Sequence, residues 1–270
     1  MCGIAGLVGG FVAGLVNRMN ALQRHRGPDR EGVFQDAAEE VALGHVRLAI
    51  LGLTDLAAQP MDSQDGRYVL VFNGEIYDFQ ELRTELAGLG HSFRSSGDTE
   101  VLLHGLQQFG PIYVKRLNGI FAFALRDRQK RELLLARDHL GVKPLYFTAA
   151  TPGTLLFASE LKVLCAYPGL PWESDFDVLQ QHLAYCHACD EHTALKGIRW
   201  LPPGAFLECH NSSVLDSNLL AAGVLCCEGF GSWPRRGGGA RNHSRGYHTP
   251  DGWCPTCRSA PSSAAAWTAV

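Results

Sequence analysis

The second residue of the chain is a cysteine, in Met1-Cys2-Gly3-Ile4-Ala5-Gly6, so removal of the initiator methionine would leave one residue carrying both a thiol and a free α-amine. A thiol with a pKa of about 8.5 is only slightly ionised at neutral pH, and an α-amine near about 8 can take up its proton directly or through a water. Nucleophile and base would then belong to the same residue. The glycines that follow would let the chain turn closely around a bound substrate. Position alone equally allows Cys2 to be a small buried hydrophobe at the start of a strand. Two further cysteine pairs, Cys186-x-x-Cys189 and Cys254-x-x-Cys257, have ligand spacings that could build a closed zinc site.

A reactive cysteine needs a frame, and the hydrophobic patterning predicts one. Short apolar runs at 2–8, 41–51, 68–73 and 118–126, each ended by Gly, Asn or Asp, read as strands. Further strands fit 131–136, 144–148 and 154–158. Asp78 is placed to cap a helix through Leu89, with Glu81 completing a capping box and Gly90 stopping it. A second helix begins at Asp98, with Val101, Leu102, Leu106 and Phe109 on one face, and a third covers 174–184. The pattern predicts an α+β chain with two antiparallel sheets and helices outside them.

The bulk properties narrow the function classes. With 270 residues, 46% hydrophobic and 19% charged, the chain can bury a full core. A net charge of −3 leaves no basic surplus for a phosphate backbone, so nucleic acid is excluded as a partner, as is a membrane surface. The apolar stretch from Ile4 to Val16 is interrupted by four glycines and is too short to span a bilayer. It reads as buried structure, which predicts a cytoplasmic chain whose nine cysteines are free thiols. From Cys209 onward the composition changes: there is no Lys and no Ile, and little hydrophobic periodicity. Such a segment cannot offset its ordering entropy, so 208–270 is expected to be a disordered tail.

An ordered set of motifs carries a resemblance. It comprises Met1 to Gly6, His25-Arg26-Gly27-Pro28-Asp29 with Gly32, Arg47-Leu48-Ala49-Ile50, and Phe72-Asn73-Gly74-Glu75-Ile76-Tyr77. It continues with Ser96-Gly97-Asp98-Thr99-Glu100, the stretch from Arg137 to Tyr146, Phe157-Ala158-Ser159-Glu160, and Leu201-Pro202-Pro203-Gly204. Over 2–207 the chain resembles the class II, N-terminal-nucleophile glutamine amidotransferases, specifically the glutaminase half of glutamine-dependent asparagine synthetases. Pro28-Asp29 and Gly74-Glu75-Ile76-Tyr77 favour that type over the phosphoribosyl-pyrophosphate or glucosamine-phosphate types. The resemblance implies a four-layer αββα sandwich and attack of Cys2 on the side-chain amide of L-glutamine.

It also implies roles that the chemistry can accommodate. A tetrahedral oxyanion needs fixed donors, and the Asn73 side-chain amide and Gly74 backbone N–H would supply them. A free amino acid presents a carboxylate and an ammonium, which a selective pocket must pair. Arg47 would fork onto the carboxylate, Asp98 would hold the ammonium, and Glu75 with the Ile50-Leu51 backbone would complete the pocket. Read without the resemblance, Arg47 is an exposed strand residue and Asp98 a helix N-cap. Arg26 is expected to brace the nucleophile's surroundings, whereas Arg137, Asp138 and Lys143 are read as structural. Cys186-x-x-Cys189 falls in a variable loop of the family and Cys254-x-x-Cys257 in the tail, so no metal is assigned.

Full-length asparagine synthetases follow Pro-Pro-Gly with a Ser-Gly-Gly-x-Asp-Ser loop that grips ATP pyrophosphate. Here the one glycine cluster, Gly237 to Gly239, has neither the hydroxyl nor the aspartate that phosphate and magnesium require. The synthetase domain is therefore expected to be absent, and the chain to need no cofactor, ATP and Mg belonging to that missing half. A separate chain could supply it. The rival expectation is a catalytically silent fragment that binds glutamine or a partner.

Overall fold

The structure, a computed structural model, describes residues 1–49, 55–149, 151–188, 191–210 and 221–224. The first half runs β1 (Gly3–Val8), α1 (Leu15–Leu22), β2 (Arg30–Asp36), β3 (Val41–Arg47), β4 (Met61–Asp62), β5 (Tyr68–Ile76), α2 (Phe79–Gly88) and α3 (Asp98–Phe109). The second runs β6 (Gly119–Asp127), β7 (Glu132–Arg137), β8 (Tyr146–Thr148), β9 (Leu155–Ala158), α4 (Leu161–Leu164), α5 (Phe176–Tyr185), β10 (Ile198–Trp200), β11 (Ala205–His210) and β12 (Ala221–Val224). The strands form two six-stranded sheets, ordered β10-β8-β9-β1-β3-β2 and β12-β11-β7-β6-β5-β4. Among these strands the pairing is antiparallel throughout.

Successive residues of a strand face opposite sides of its sheet, and the core clusters follow that alternation. Ile4, Val8, Val41 and Leu43 of the first sheet meet Val69, Val71, Ala122, Ala124 and Leu135 of the second. On its outer face the first sheet buries Ala5, Leu7 and Ala42 under Leu15, Val16 and Met19 of α1 and Val163 and Leu164 of α4. The second sheet packs Leu70, Phe72, Phe121 and Phe123 under Leu82 and Leu86 of α2 and Val101, Leu102 and Leu106 of α3. Each fully buried Val, Leu, Ile, Phe or Met side chain among these contributes roughly 2 kcal/mol of transfer free energy. The layers are thus helix, sheet, sheet, helix, as expected.

Several local expectations need correction. Asp78 stands at the N-cap of α2 as expected but makes no side-chain capping bond: its carboxylate accepts the N–H of Asn118 at 3.2 Å, because the segment entering β6 lies beside that turn and competes for it. The N-cap of α3 is Gly97 rather than Asp98, which is the first helical residue. The strand expected over 41–51 ends at Arg47, where its partners end, at Gly3 opposite Val46 and Arg30 opposite Arg47. The stretch from Ile4 to Val16 divides into β1 and the start of α1, because Gly9, Gly10 and Gly14 take left-handed φ of 76, 58 and 71°. Residues 208–210, assigned to the tail, belong to β11, which also pairs with β12 at 221–224. Residues 211–220 and 225–270 lie outside the described residues. No described helix is long and apolar enough to cross a membrane.

One polar bond ties the two sheets together. His45, fully enclosed on β3, places Nε2 at 3.1 Å from the Phe72 carbonyl of β5, so Nε2 must carry the proton and donate. Burial, aided by the Arg47 charge, pulls its pKa down to about 3 against the opposing pull of that carbonyl. The unfolded chain, with histidine at its model value of 6.5, therefore takes up a proton that the folded chain refuses. The stability this group contributes is complete above that value and is lost as the pH falls. Lowering the pH from 7 to 5 should cost about 2 kcal/mol through His45. Urea unfolding at both pH values checks this, and His45→Gln should show a distinctly smaller loss.

Candidate active site

At one end of the sandwich the side chains between the sheets change from apolar to polar. Along β5, Val69 and Val71 are followed on the same face by Asn73 and Glu75, and along β3, Val41 and Leu43 are followed by His45 and Arg47. Cys2 stands one step before β1, on the face shared by Ile4 and Val8, next to the Gly3–Val46 pair. Alternation therefore brings Cys2, Arg47, Asn73 and Glu75 to a single opening. There they line an open cleft together with Gly74 and Asp98. Ile50 and Leu51, also expected in the pocket, lie outside the described residues.

The cysteine is held from several sides. The Leu48 N–H reaches Cys2 Sγ at 3.4 Å, and the Cys2 carbonyl accepts Arg26 Nε at 2.9 Å. Arg26 NH1 meets Glu160 at 3.2 Å, and Glu160 also receives His25 at 2.8 Å and Lys162 at 3.1 Å. The bracing expected of Arg26 is therefore present. Two residues on, Ile4 N donates to Ser159 Oγ at 3.0 Å, while Ser159 N donates to the Ile4 carbonyl at 2.9 Å. Burial pushes the Cys2 thiol up from its ordinary pKa, while the Leu48 bond, the chain-terminal ammonium, Arg47 and Lys143 pull it down.

On the facing sheet Asn73 is 1% exposed, and its Nδ2 has no hydrogen-bond partner. A buried donor left unpaired costs on the order of 1–3 kcal/mol, which an oxyanion in the cleft would relieve. The backbone leading to it is fixed twice: Phe72 N donates to Gln59 Oε1 at 2.6 Å, and the Phe72 carbonyl receives His45. Asp98 is 5% exposed and accepts the Ile76 N–H at 3.1 Å. Burial, together with the nearby Glu75 charge, raises its pKa, while backbone bonds from Ile76 and its own turn oppose the rise. The cleft thus has a cationic side, with Arg47 and Lys143 acting on Cys2, and an anionic side, where Glu75 acts on Asp98. That division suits a zwitterion.

A sequence profile of the glutamine amidotransferase domain matches residues 1–218. The chain belongs to the glutamine amidotransferase domain family. It is similar to asparagine synthetase B [glutamine-hydrolyzing] of Escherichia coli, 43% identical over 146 residues, which cover 54% of this chain and 26% of that protein. It is also similar to asparagine synthetase [glutamine-hydrolyzing] 1 of Bacillus subtilis, 36% identical over 191 residues, covering 71% of this chain and 29% of the relative. The chain thus spans between a quarter and a third of the length of these relatives. In fold it is similar to glutamine phosphoribosylpyrophosphate amidotransferase from B. subtilis, with a TM-score of 0.57 at 22% identity over 83% of this chain and 49% of that one.

In this amidotransferase domain the cleft contains residues that sequence reasoning passed over. Lys143 lines it, although the 137–146 stretch reads as structural, and so do Gln59, Thr99 and Met1. Arg137 and Asp138 are structural as expected, bonding backbone groups of the loop that carries Lys143. Cys186 is exposed, and Cys189, Cys254 and Cys257 lie outside the described residues.

Gly74 is a glycine because β6 passes too close for anything larger. A Cβ there would lie 2.3 Å from the Ile120 carbonyl oxygen and 2.7 Å from Phe121 Cα, both backbone atoms that cannot move independently of their sheet. Gly74→Ala should therefore cost about 1–3 kcal/mol, read as a fall in Tm of several degrees. Gly97→Ala, whose Cβ would meet nothing within 4 Å, should lower Tm less, through the small cost of alanine at the N-cap of α3.

Proposed function

We propose that this domain hydrolyses L-glutamine to glutamate and ammonia through a thioester on Cys2. The observation that carries the reading is the meeting of Cys2 Sγ, the unpaired Asn73 Nδ2 and the charged groups Arg47 and Asp98 in one cleft. Met1 also lines that cleft, so its removal would both clear space beside the thiol and create the amine that the mechanism uses. With that amine as base, the thiol proton moves to nitrogen and sulfur attacks the side-chain amide carbon. A C–S bond forms, and the carbonyl electron pair moves onto oxygen, where Asn73 Nδ2 and the Gly74 N–H stabilise it. The new ammonium returns its proton to the departing nitrogen, the C–N bond breaks, and ammonia leaves. A water deprotonated by the same amine then hydrolyses the thioester to glutamate.

Arg47 pairs with the substrate α-carboxylate, and Asp98 with Glu75 holds its α-ammonium, Ile50 and Leu51 completing the pocket in this reading. Every step uses side-chain and backbone groups alone. The names of the similar full-length proteins suggest the fate of the ammonia, which is transfer to an ATP-activated aspartate on a synthetase half contributed by further sequence or by a separate chain. Support comes from apolar side chains that stand in solvent, with Leu140, Phe176 and Leu183 at 81, 72 and 87% exposure. A cytoplasmic location fits the described cysteines, Cys2, Cys165, Cys186 and Cys209, all of which are free thiols.

Cys2→Ala should abolish ammonia release from glutamine while leaving the fold intact by circular dichroism. If Met1 is retained, the nitrogen of Cys2 is an amide and turnover should likewise collapse; intact mass identifies the starting residue. Asn73→Ala should lower kcat by about 100-fold or more with a smaller effect on KM, and Arg47→Lys should act mainly on KM. Cys2-independent ammonia release, or none from folded protein that begins at Cys2, would sink the proposal and leave a glutamine-binding module.

A further inference from the structure

Three charged residues at the end of β7 and in the loop leading to β8 are buried, yet only one of them lines the cleft. Arg137 is 3% exposed, Asp138 0% and Lys143 8%. The Arg137 guanidinium donates to the carbonyls of Gly141, Leu201 and Lys143 at 2.5, 2.6 and 2.7 Å. The Asp138 carboxylate accepts the N–H groups of Leu140, Val142 and Lys143 at 3.1, 3.0 and 3.0 Å, and that of Phe121 at 3.2 Å. The peptide groups on both sides of Lys143 are therefore fixed by buried charges of opposite sign, and Pro144 restricts the next φ. Two charges are spent on holding the backbone of a third.

The Lys143 side chain lines the cleft beside Cys2, and among the described residues no carboxylate pairs with its ammonium. A cation this enclosed has lost most of its hydration, a loss that an opposing charge would offset. The other charged groups facing Cys2 are already engaged. Arg26 is divided between the Cys2 carbonyl and Glu160, Arg47 on β3 has interactions of its own, and the terminal amine must change its charge during turnover. Glu75 at the end of β5 and Asp98 on α3 are the anions of the cleft. Lys143 is thus a cation of the cleft whose backbone is fixed and whose ammonium meets no carboxylate among the described residues.

We infer that Lys143 is the standing counter-charge of the Cys2 thiolate, and that the Arg137–Asp138 pair positions it. Its attraction for the charged sulfur adds to those of the Leu48 N–H, the chain-terminal ammonium and Arg47 in opposing the penalty of burial. The inference rests on the reading of Cys2 as nucleophile and deepens it. It assigns a positioning residue, acting through the sulfur, from a stretch whose other charges serve only the backbone.

The test measures the thiolate without any glutamine. Full-length protein is labelled with iodoacetamide across pH 5 to 10, and the rate at the peptide carrying Cys2 is followed by mass spectrometry. Lys143→Met should move the midpoint of that profile upward by about one pH unit and slow labelling at pH 7 about tenfold. Lys143→Arg should restore the rate at pH 7 to within about threefold of the starting protein. Lys143→Gln, which keeps a polar side chain of similar length, provides a second charge-removing variant should the methionine protein fail to fold. Profiles that superimpose for the starting protein and a folded Met or Gln variant overturn the inference. An upward shift that arginine does not correct also overturns it, because packing rather than charge would then be responsible. Loss of glutamine hydrolysis in every sample would count against the proposed reaction and leave the alkylation profiles to decide the role of Lys143.

Discussion

Strand alternation, carried across two sheets pinned in register, governs where every reacting group can stand. The first sheet supplies Cys2 and Arg47, and the second supplies Asn73, Gly74 and Glu75. Neither sheet alone holds a complete set. The space between them is filled by valine, leucine, isoleucine, phenylalanine and alanine until the last positions, where His45 bonds the Phe72 carbonyl. A single-residue slip in either sheet would turn its polar end residues toward the helices and carry leucines into the cleft. The apolar interior therefore sets the spacing between the Cys2 sulfur and the Asn73 amide as much as it stabilises the chain.

The charges around the cleft follow an economical division. Burial works against ionising Cys2 and against ionising Asp98, and each carries nearby backbone N–H groups that oppose it. Cations gather near the sulfur and anions near the start of α3, so in the proposed reading a substrate bearing both signs would meet each of its opposites in one orientation. Behind this, Arg26, Arg137, Asp138 and Glu160 act mainly on backbone or on one another, holding the loops that carry the groups in front.

Much of the site was legible in the sequence because its parts sit at strand ends and helix starts with short, distinctive neighbours. Ser96-Gly97-Asp98 announces a helix start beside a charged group, whereas Asn73-Gly74, which reads as the end of a strand, lies inside β5. Lys143 was not legible in the same way. It stands in a run of charges where Arg137 and Asp138 face the backbone, and only the return of the loop, bent at Gly141 with φ 66°, shows which charge is left facing the cleft. Edge strand β2 escaped detection because its outward residues are polar and its pattern of exposure is shallow. The end of β11 was obscured by the compositional break at Cys209, a residue that is nevertheless 1% exposed and pairs opposite Leu133. Asp78 was misread because a carboxylate beside a helix start is equally available to a neighbouring segment.

Chain termini usually fray, yet here the carbonyl of Cys2 and both backbone groups of Ile4 are tied to Arg26 and Ser159. Met1 lines the cleft and is 55% exposed, so anything attached ahead of it would begin beside the cleft and keep the Cys2 nitrogen as an amide. An affinity handle fused there would hold that amide permanently beside the sulfur. Recombinant protein intended for work on this cleft should carry its handle at the opposite end of the chain.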